Sequence, residues 1–221
     1  MAIDLNRTIT FAGKDPDWTN KLLIGAALSL VPIVNLAASG YAANLFRNVL
    51  EGRDDSEVLP AWTDWGDHFM KGLFLFLIGL AYGLVPLGLV LVAVVPTALS
   101  LLDGRGLTLA FGVAGTMALV GLAVLLALAL APVSLVGSAM FVKSGALGDA
   151  FDFAEILRRV MAALGDLVVV FVLGIVGGLL AAAVAGWIPL VGTLLISALT
   201  FPIQLMVWHA LGQTFRSNFQ D

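Results

Sequence analysis

An all-α, polytopic transmembrane helical bundle is the fold class this sequence predicts, on three observations. Of 221 residues, 60% are hydrophobic and 12% charged, and the mean hydropathy is +1.03. Four stretches carry no formally charged side chain: 22–46 (25 residues), 72–102 (31), 106–142 (37) and 167–215 (49). Each exceeds the roughly 18 apolar residues that mark a membrane-crossing helix. The charge that remains is gathered in a few breaks between them. A water-soluble globule of this length has too little interior to hide so much apolar surface.

The elements follow in order, as a single domain (1–221) of about six helices in three hairpins near 16–51, 72–142 and 166–215. Asp15-Pro16 predicts the first helix start, with Asp as N-cap and Pro at the first helical position. Val31-Pro32-Ile33-Val34-Asn35 predicts a reversal, because Pro interrupts the helical ladder and Asn tolerates the left-handed conformation. Two short helices result, near 16–31 and 36–51, of roughly 24 Å each, which barely span or are re-entrant. One kinked span over 22–46 is the alternative.

Asp103-Gly104-Arg105-Gly106, two charges beside two glycines, predicts the turn of the second hairpin. The 49 residues of 167–215 as one rod would reach roughly 73 Å against a hydrocarbon core of about 30 Å. They therefore fold back, at Ile188-Pro189-Leu190-Val191-Gly192. Ahead of them, 149–164 reads as a short interfacial amphipathic helix. Phe153, Leu157, Val160, Met161 and Leu164 share its apolar face, with Asp152, Glu155, Arg158 and Arg159 toward water.

Three hairpins put both termini and the loops 51–71 and 143–166 on one face, with ten of the 11 basic residues and only Arg105 opposite. A single first span would divide them seven to four. The positive-inside rule prefers the first arrangement and makes the populated face cytoplasmic. Trp18, Trp62, Trp65, Phe151, Phe153, Trp208 and Phe215 read as anchors at that boundary and Trp187 at the other. Trp18–Gly25 and Trp65–Gly72 echo each other and hint at an internal repeat.

Composition also excludes chemistry. With no cysteine, disulfides, Cys-based zinc sites, thiolate catalysis and iron–sulfur clusters are out. Asp4, Arg7, Lys14, Asp15 and Asp17 predict that no cleavable secretory signal precedes the first hydrophobic segment. A net charge of −4 gives no overall electrostatic reason to expect nucleic acid or an anionic lipid patch as ligand. The spans contain no Asp, Glu, Lys or Arg, which argues against a coupled transporter or pump but leaves a passive or lipid-handling path open.

Asn35, Asn44, Thr97, Ser100, Thr116, Ser134, Ser138, Thr193, Ser197, Thr200, Gln204 and His209 read as helix-to-helix hydrogen-bonding groups rather than a substrate site. Small faces at Gly79/Gly83 and Gly174/Gly178 read as helix-packing surfaces, with a homo-oligomer seam as the alternative. Pro86, Pro96, Pro132 and Pro202 read as kinks that fit neighbouring helices. Asp64, Asp67 and His68 are the densest acid and imidazole cluster. They read as a solvated helix start, because a third strong ligand at helical spacing is missing. No Gly-x-Ser-x-Gly, phosphate loop or His-Glu-x-x-His is present, so no catalytic, cofactor or metal residues are expected.

Several motifs carry a resemblance: Asp15-Pro16-Asp17-Trp18 with Lys21-Leu22-Leu23-Ile24-Gly25, Gly40-Tyr41 ahead of Arg47, Leu59-Pro60-Ala61-Trp62, Asp64-Trp65-Gly66-Asp67 with Gly72, and Ala150-Phe151-Asp152-Phe153. In these the chain resembles the domain of unknown function 4013 family of polytopic, mainly archaeal membrane proteins. With the Asp-rich loop around Arg53-Asp54-Asp55 and the low pI, the resemblance implies a salt-adapted archaeal member, and it implies no assigned activity. The expected function is a non-enzymatic membrane scaffold or interaction protein, multi-pass in the cell membrane. Its partners would be membrane lipids and a protein on the loops 51–71 and 143–166. The alternative is a permease or channel for a small neutral or amphipathic solute. A lipid-acting enzyme comes third and requires Asp64, Asp67 and His68 around one polar cavity.

Overall fold

The computed structural model of the chain describes residues 3–103, 106–185 and 191–219. Among these the regular structure is helical throughout: α1 (Leu5–Thr10), α2 (Trp18–Ser29), α3 (Asn35–Leu50), α4 (Trp65–Asp103), α5 (Gly106–Ser144), α6 (Phe153–Ala162), α7 (Leu164–Ala185) and α8 (Val191–Asn218), with 3-10 turns at Ala12–Lys14 and Leu147–Phe151. Four helices, within α4, α5, α7 and α8, are long and apolar enough to cross a membrane. The chain is of the all-α class, and these four helices suggest a membrane protein. The expected turn at 104–105, most of the expected turn at 188–192 and the Trp187 anchor lie outside the described residues.

Direction is legible from paired contacts. Thr97 Oγ1 donates to Gly112 O (3.0 Å), Thr116 Oγ1 donates to Ala93 O (2.8 Å), and Phe74 packs edge-on against Phe141, so α5 runs antiparallel to α4. Gly174 faces Val207 and Gly177 faces Ile203, which sets α7 antiparallel to α8. The pairs Ser39–Gln204 and Phe46–Trp208 rise together, so α3 and α8 are parallel.

A reversal does separate α2 from α3. Its left-handed residue is Ile33 (φ 71°), whereas Asn35 is the first residue of α3. Pro32 has no N–H to extend α2, and the strain of a β-branched residue at positive φ falls at the exposed tip. With 12 and 16 residues, α2 and α3 reach only about 18 and 24 Å, whereas α4 and α5, at 39 residues each, reach about 58 Å. The first helix also starts later than Asp15-Pro16 predicts. Asp15 is buried, accepts from Asp17 N (2.8 Å) and pairs with Lys21 Nζ (2.6 Å), so its carboxylate serves a turn and an ion pair instead of an N-cap.

The core gathers at the loop end, where Phe11, Tyr41, Phe46, Trp208, Leu211 and Phe215 are buried together. Trp208 and Phe215 are thus interior residues and not boundary anchors, whereas Trp18 and Trp65 are exposed. Farther along α4 and α5, Leu91, Val92, Val95, Met117, Leu125 and Leu128 are exposed, a surface suited to lipid and not to water. The middle of the loop 51–71 packs inward, while most of its other residues are exposed. Val58 and Leu59 are buried, Asn48 Nδ2 donates to Val58 O (2.9 Å), Lys21 Nζ to Leu59 O (3.1 Å) and Trp62 Nε1 to Lys21 O (3.0 Å).

The amphipathic helix expected over 149–164 is present as the shorter α6, capped by Asp152, whose side chain accepts from Glu155 N (3.1 Å). Phe153, Leu157, Met161 and Leu164 form an exposed apolar stripe as expected, but Val160 turns inward beside Ile156. Arg159 does not face water either. Its side chain is 12% exposed, bonds Glu155 and lies 4.8 Å from the Phe219 ring centroid, since a flat guanidinium gains more on an aromatic face than an ammonium would.

α1 has no counterpart in the sequence reading. Asp4 caps it by accepting from Arg7 N (2.9 Å), Gln213 Oε1 accepts from Asp4 N (2.7 Å), and Gln213 Nε2 donates to Thr8 Oγ1 (2.9 Å). Asp55 accepts from Arg7 Nε (2.7 Å) and Lys14 Nζ (2.6 Å), clamping the segment to the 51–71 loop. Burial works against the Asp55 charge, but the Lys14 and Arg7 hydrogen bonds and charges outweigh it and hold the carboxyl below its ordinary range. A depressed folded-state pKa stabilises above the unfolded value and the benefit is lost as pH falls through the folded one. Hydrogen exchange of residues 4–14 is therefore expected to stay protected at pH values where free Asp is half protonated, about 4, and to rise only in stronger acid. In Asp55→Asn the exchange should already be raised at pH 7; protection equal to wild type would refute the clamp.

Candidate functional site

α3 and α8 run side by side, and one hydrogen bond marks where their polar residues meet: Gln204 Nε2 donates to Ser39 Oγ (3.2 Å). A cavity opens on each side. One, of about 530 Å³, has Asn35, Ser39, Ser134, Ser138 and Gln204 among its lining residues, with Phe76 and Phe171 as apolar walls. The other, of about 550 Å³, is lined by Ser29, Asn35, Ser39, Ser197, Thr200 and Gln204, with Ile203 and Val207. Among the described residues no acidic or basic side chain lines either one.

The position follows from helix geometry. Asn35 opens α3 twelve residues before Arg47, and Gln204 precedes Arg216 by twelve on α8, so the cleft lies about 18 Å from that charged end. That distance is a little over half of a hydrocarbon core of about 30 Å. The positive end of the α3 dipole also lies at the cleft. Part of the polar lining is internally satisfied: Thr200 Oγ1 donates to Ile196 O (2.8 Å) and Ser29 Oγ to Gly25 O (2.8 Å). The Asn35 amide and the hydroxyls of Ser134 and Ser138 make no hydrogen bond among the described residues. Polar groups in an apolar medium are costly when unpaired, so this cleft favours a molecule that can pair with them.

The other singled-out residues are used for structure. Asp64 caps α4 by accepting from Asp67 N (3.1 Å). Asp67 Oδ2 accepts from Lys71 Nζ (2.7 Å) and Asn44 Nδ2 (2.7 Å). His68 is buried, with Nδ1 2.8 Å from Asn44 Nδ2 and Nε2 3.0 Å from Ala61 O, so the ring carries its proton on Nε2 and accepts at Nδ1. In this network at the α3–α4 crossing the one lone pair of the His68 ring is taken up by Asn44. No group of three or more His, Asp or Glu placed to hold a metal occurs among the described residues. His209 is fully buried, stacks on Phe11 at 4.2 Å and meets Gln213 through Nδ1, with Nε2 unpaired among the described residues. Thr97 and Thr116 join α4 to α5.

Of the glycines the sequence reading singled out, Gly174 does pack on α8, where a Cβ would lie 3.5 Å from Val207, but the closest approaches occur elsewhere. A Cβ at Gly79, Gly83 or Gly178 would meet nothing within 4 Å, whereas one at Gly40 would fall 1.6 Å from His68 O and one at Gly72 1.7 Å from Leu36 O. Ser39 also escaped the reading, although it offered a signal. Asn35/Ser39, Ser134/Ser138 and Thr200/Gln204 are each spaced four residues apart, which places both members on one helical face.

A family model described as "Protein of unknown function (DUF4013)" matches residues 24–190. No curated protein and no solved structure matches the chain.

Proposed function

The chain belongs to this family of unknown function, DUF4013, and from that premise we propose that it is a non-enzymatic, multi-pass protein of the cell membrane that admits a small neutral or amphipathic solute into the cleft around Gln204 and Ser39. In this reading α4–α5 and α7–α8 are membrane hairpins, α2–α3 is a re-entrant hairpin, and all loops rich in Lys and Arg face the cytoplasm. The observation that carries it is the unpaired Asn35, Ser134 and Ser138 side chains in cavities without a charged lining. Neutral hydrogen-bonding groups select a neutral hydroxyl- or amide-bearing molecule, because an ion would find no counter-charge there. The helix break at Leu30–Val34 supplies the irregular backbone that solute sites in membranes commonly use.

Proteoliposomes test this with glycerol as the flux probe and dioctanoylglycerol as the binding probe. Protein-dependent glycerol efflux is expected, falling about tenfold in Gln204→Leu, the scale of one or two lost hydrogen bonds. Efflux equal to protein-free liposomes, with no dioctanoylglycerol binding, would overturn the proposal. A scaffold role is the second reading, favoured by the exposed stripe of Phe153, Leu157 and Met161 on α6 with Leu164 at the start of α7, which suits the lipid interface.

A further inference from the structure

The helices α3, α5 and α8 end close together on the loop side, and each carries a cation in its last turn: Arg47, Lys143 and Arg216. One such cation per helix is ordinary, because it offsets the negative end of the dipole. Here all three line a single cavity of about 380 Å³, with Leu50, Phe215 and Phe219 as its apolar wall. Like charges that converge repel one another unless an anion joins them. Among the described residues the one acid in the lining, Glu51, is engaged by Arg53 through Nη2 (2.9 Å) and Nε (3.1 Å). Lys143 Nζ reaches only a carbonyl, Phe219 O (3.1 Å). Arg47 and Arg216 make no hydrogen bond or ion pair among the described residues, and the Arg216 guanidinium lies over Gly52, where a Cβ would come within 2.7 Å of Nη2. Gly52 has φ 75°, so the absence of a side chain both permits that turn and leaves room for the guanidinium.

We propose that this cavity binds a phosphate group, as a phospholipid headgroup or as free phosphate, through Arg47, Lys143 and Arg216. Two guanidiniums supply forked donors that match phosphate oxygens, and the ammonium adds a point charge. The apolar wall of Leu50, Phe215 and Phe219 suits the glycerol and upper acyl part of a lipid. Basic pockets between helices at the membrane surface are a recognised way of holding anionic headgroups. The overall charge of −4 conceals this site, since the acids are spread along the loops while the three cations converge.

The test uses the full chain in nanodiscs of phosphatidylcholine with about one-tenth phosphatidylglycerol, an anionic lipid of the kind that basic pockets hold, followed by native mass spectrometry. Wild type should retain one phosphatidylglycerol in preference to phosphatidylcholine. The variant Arg47→Gln/Lys143→Gln/Arg216→Gln should lose that preference, while Arg158→Gln, which removes an exposed cation outside the cavity, should keep it. Displacement by millimolar inorganic phosphate would identify free phosphate as the occupant, and retention against it would identify the lipid. Equal retention by wild type and the triple variant, with both melting at the same temperature in pure phosphatidylcholine, would overturn the proposal. Binding seen only after removal of residues 220–221 would overturn it as well. Neither readout depends on solute flux, so this site and the mid-membrane cleft stand or fall separately.

Discussion

Gly40→Ala and Gly72→Ala are each expected to destabilise the chain by about 3 kcal/mol or more, the upper range for overpacking, because the added methyl meets backbone and not a movable side chain. The Cβ positions fall 1.6 Å from His68 O and 1.7 Å from Leu36 O, so α3 and α4 must part along their crossing. Parting would also break the Asn44, Asp67, His68 and Lys71 network built across it. Gly79→Ala and Gly83→Ala provide the contrast. Their Cβ positions are open, and alanine is the better helix former by about 1 kcal/mol, so they should be neutral or stabilising. Reversible unfolding in mixed micelles measures all four. Similar losses at the two pairs would mean that the α3–α4 crossing is not as close as described.

Removing the Tyr41 ring should have a comparable effect. Tyr41 is fully buried, stacks on Trp62 at 4.2 Å, and donates to Pro60 O (2.8 Å). Large aromatic truncations in cores cost about 3–5 kcal/mol, and Tyr41→Ala belongs in that range. Tyr41→Phe should lose only the hydrogen bond, about 1 kcal/mol. The second readout is local. With its aromatic floor gone, the segment 58–62 should become open to protease in Tyr41→Ala and stay closed in Tyr41→Phe. Cleavage unchanged in Tyr41→Ala would show that the Asn48 and Lys21 hydrogen bonds to Val58 O and Leu59 O hold the loop without it.

The family motifs gain a physical meaning from these contacts. Lys21 pairs with Asp15 and presents its carbonyl to Trp62; Tyr41 holds Pro60; Gly40 and Gly72 bring α3 and α4 together. The residues behind the resemblance are those that fasten the loop end of the bundle, and the polar cleft lies beyond them. Membership therefore speaks to architecture before it speaks to activity.

Much of the architecture was legible without coordinates. Long uncharged runs identify lipid as the solvent of four helices, and Pro32 places the break between α2 and α3, because both depend on local chemistry along the chain. The amphipathic α6 was legible for the same reason, as helical spacing alone brings Phe153, Leu157 and Met161 onto one face. Which residue would bear the positive φ at that break, and which way Arg159 would turn, depended on neighbours: Ile33 rather than Asn35 reverses the chain, and Arg159 found Phe219. Glycine spacing suggested Gly79 and Gly83 as contacts, but a small residue permits close approach only where another helix arrives, and α3 arrives at Gly72.

By itself, then, the sequence determined the apolar spans, most of the helices and one break, since these arise from residues near one another along the chain. The cleft joins Asn35 and Ser39 to Gln204, more than 160 residues away, and the cationic cavity joins Arg47, Lys143 and Arg216 from three helices. Only tertiary structure decided those two sites, because each exists where separate helices meet, and a four-residue spacing such as Asn35/Ser39 on one helix does not say which helix it will face.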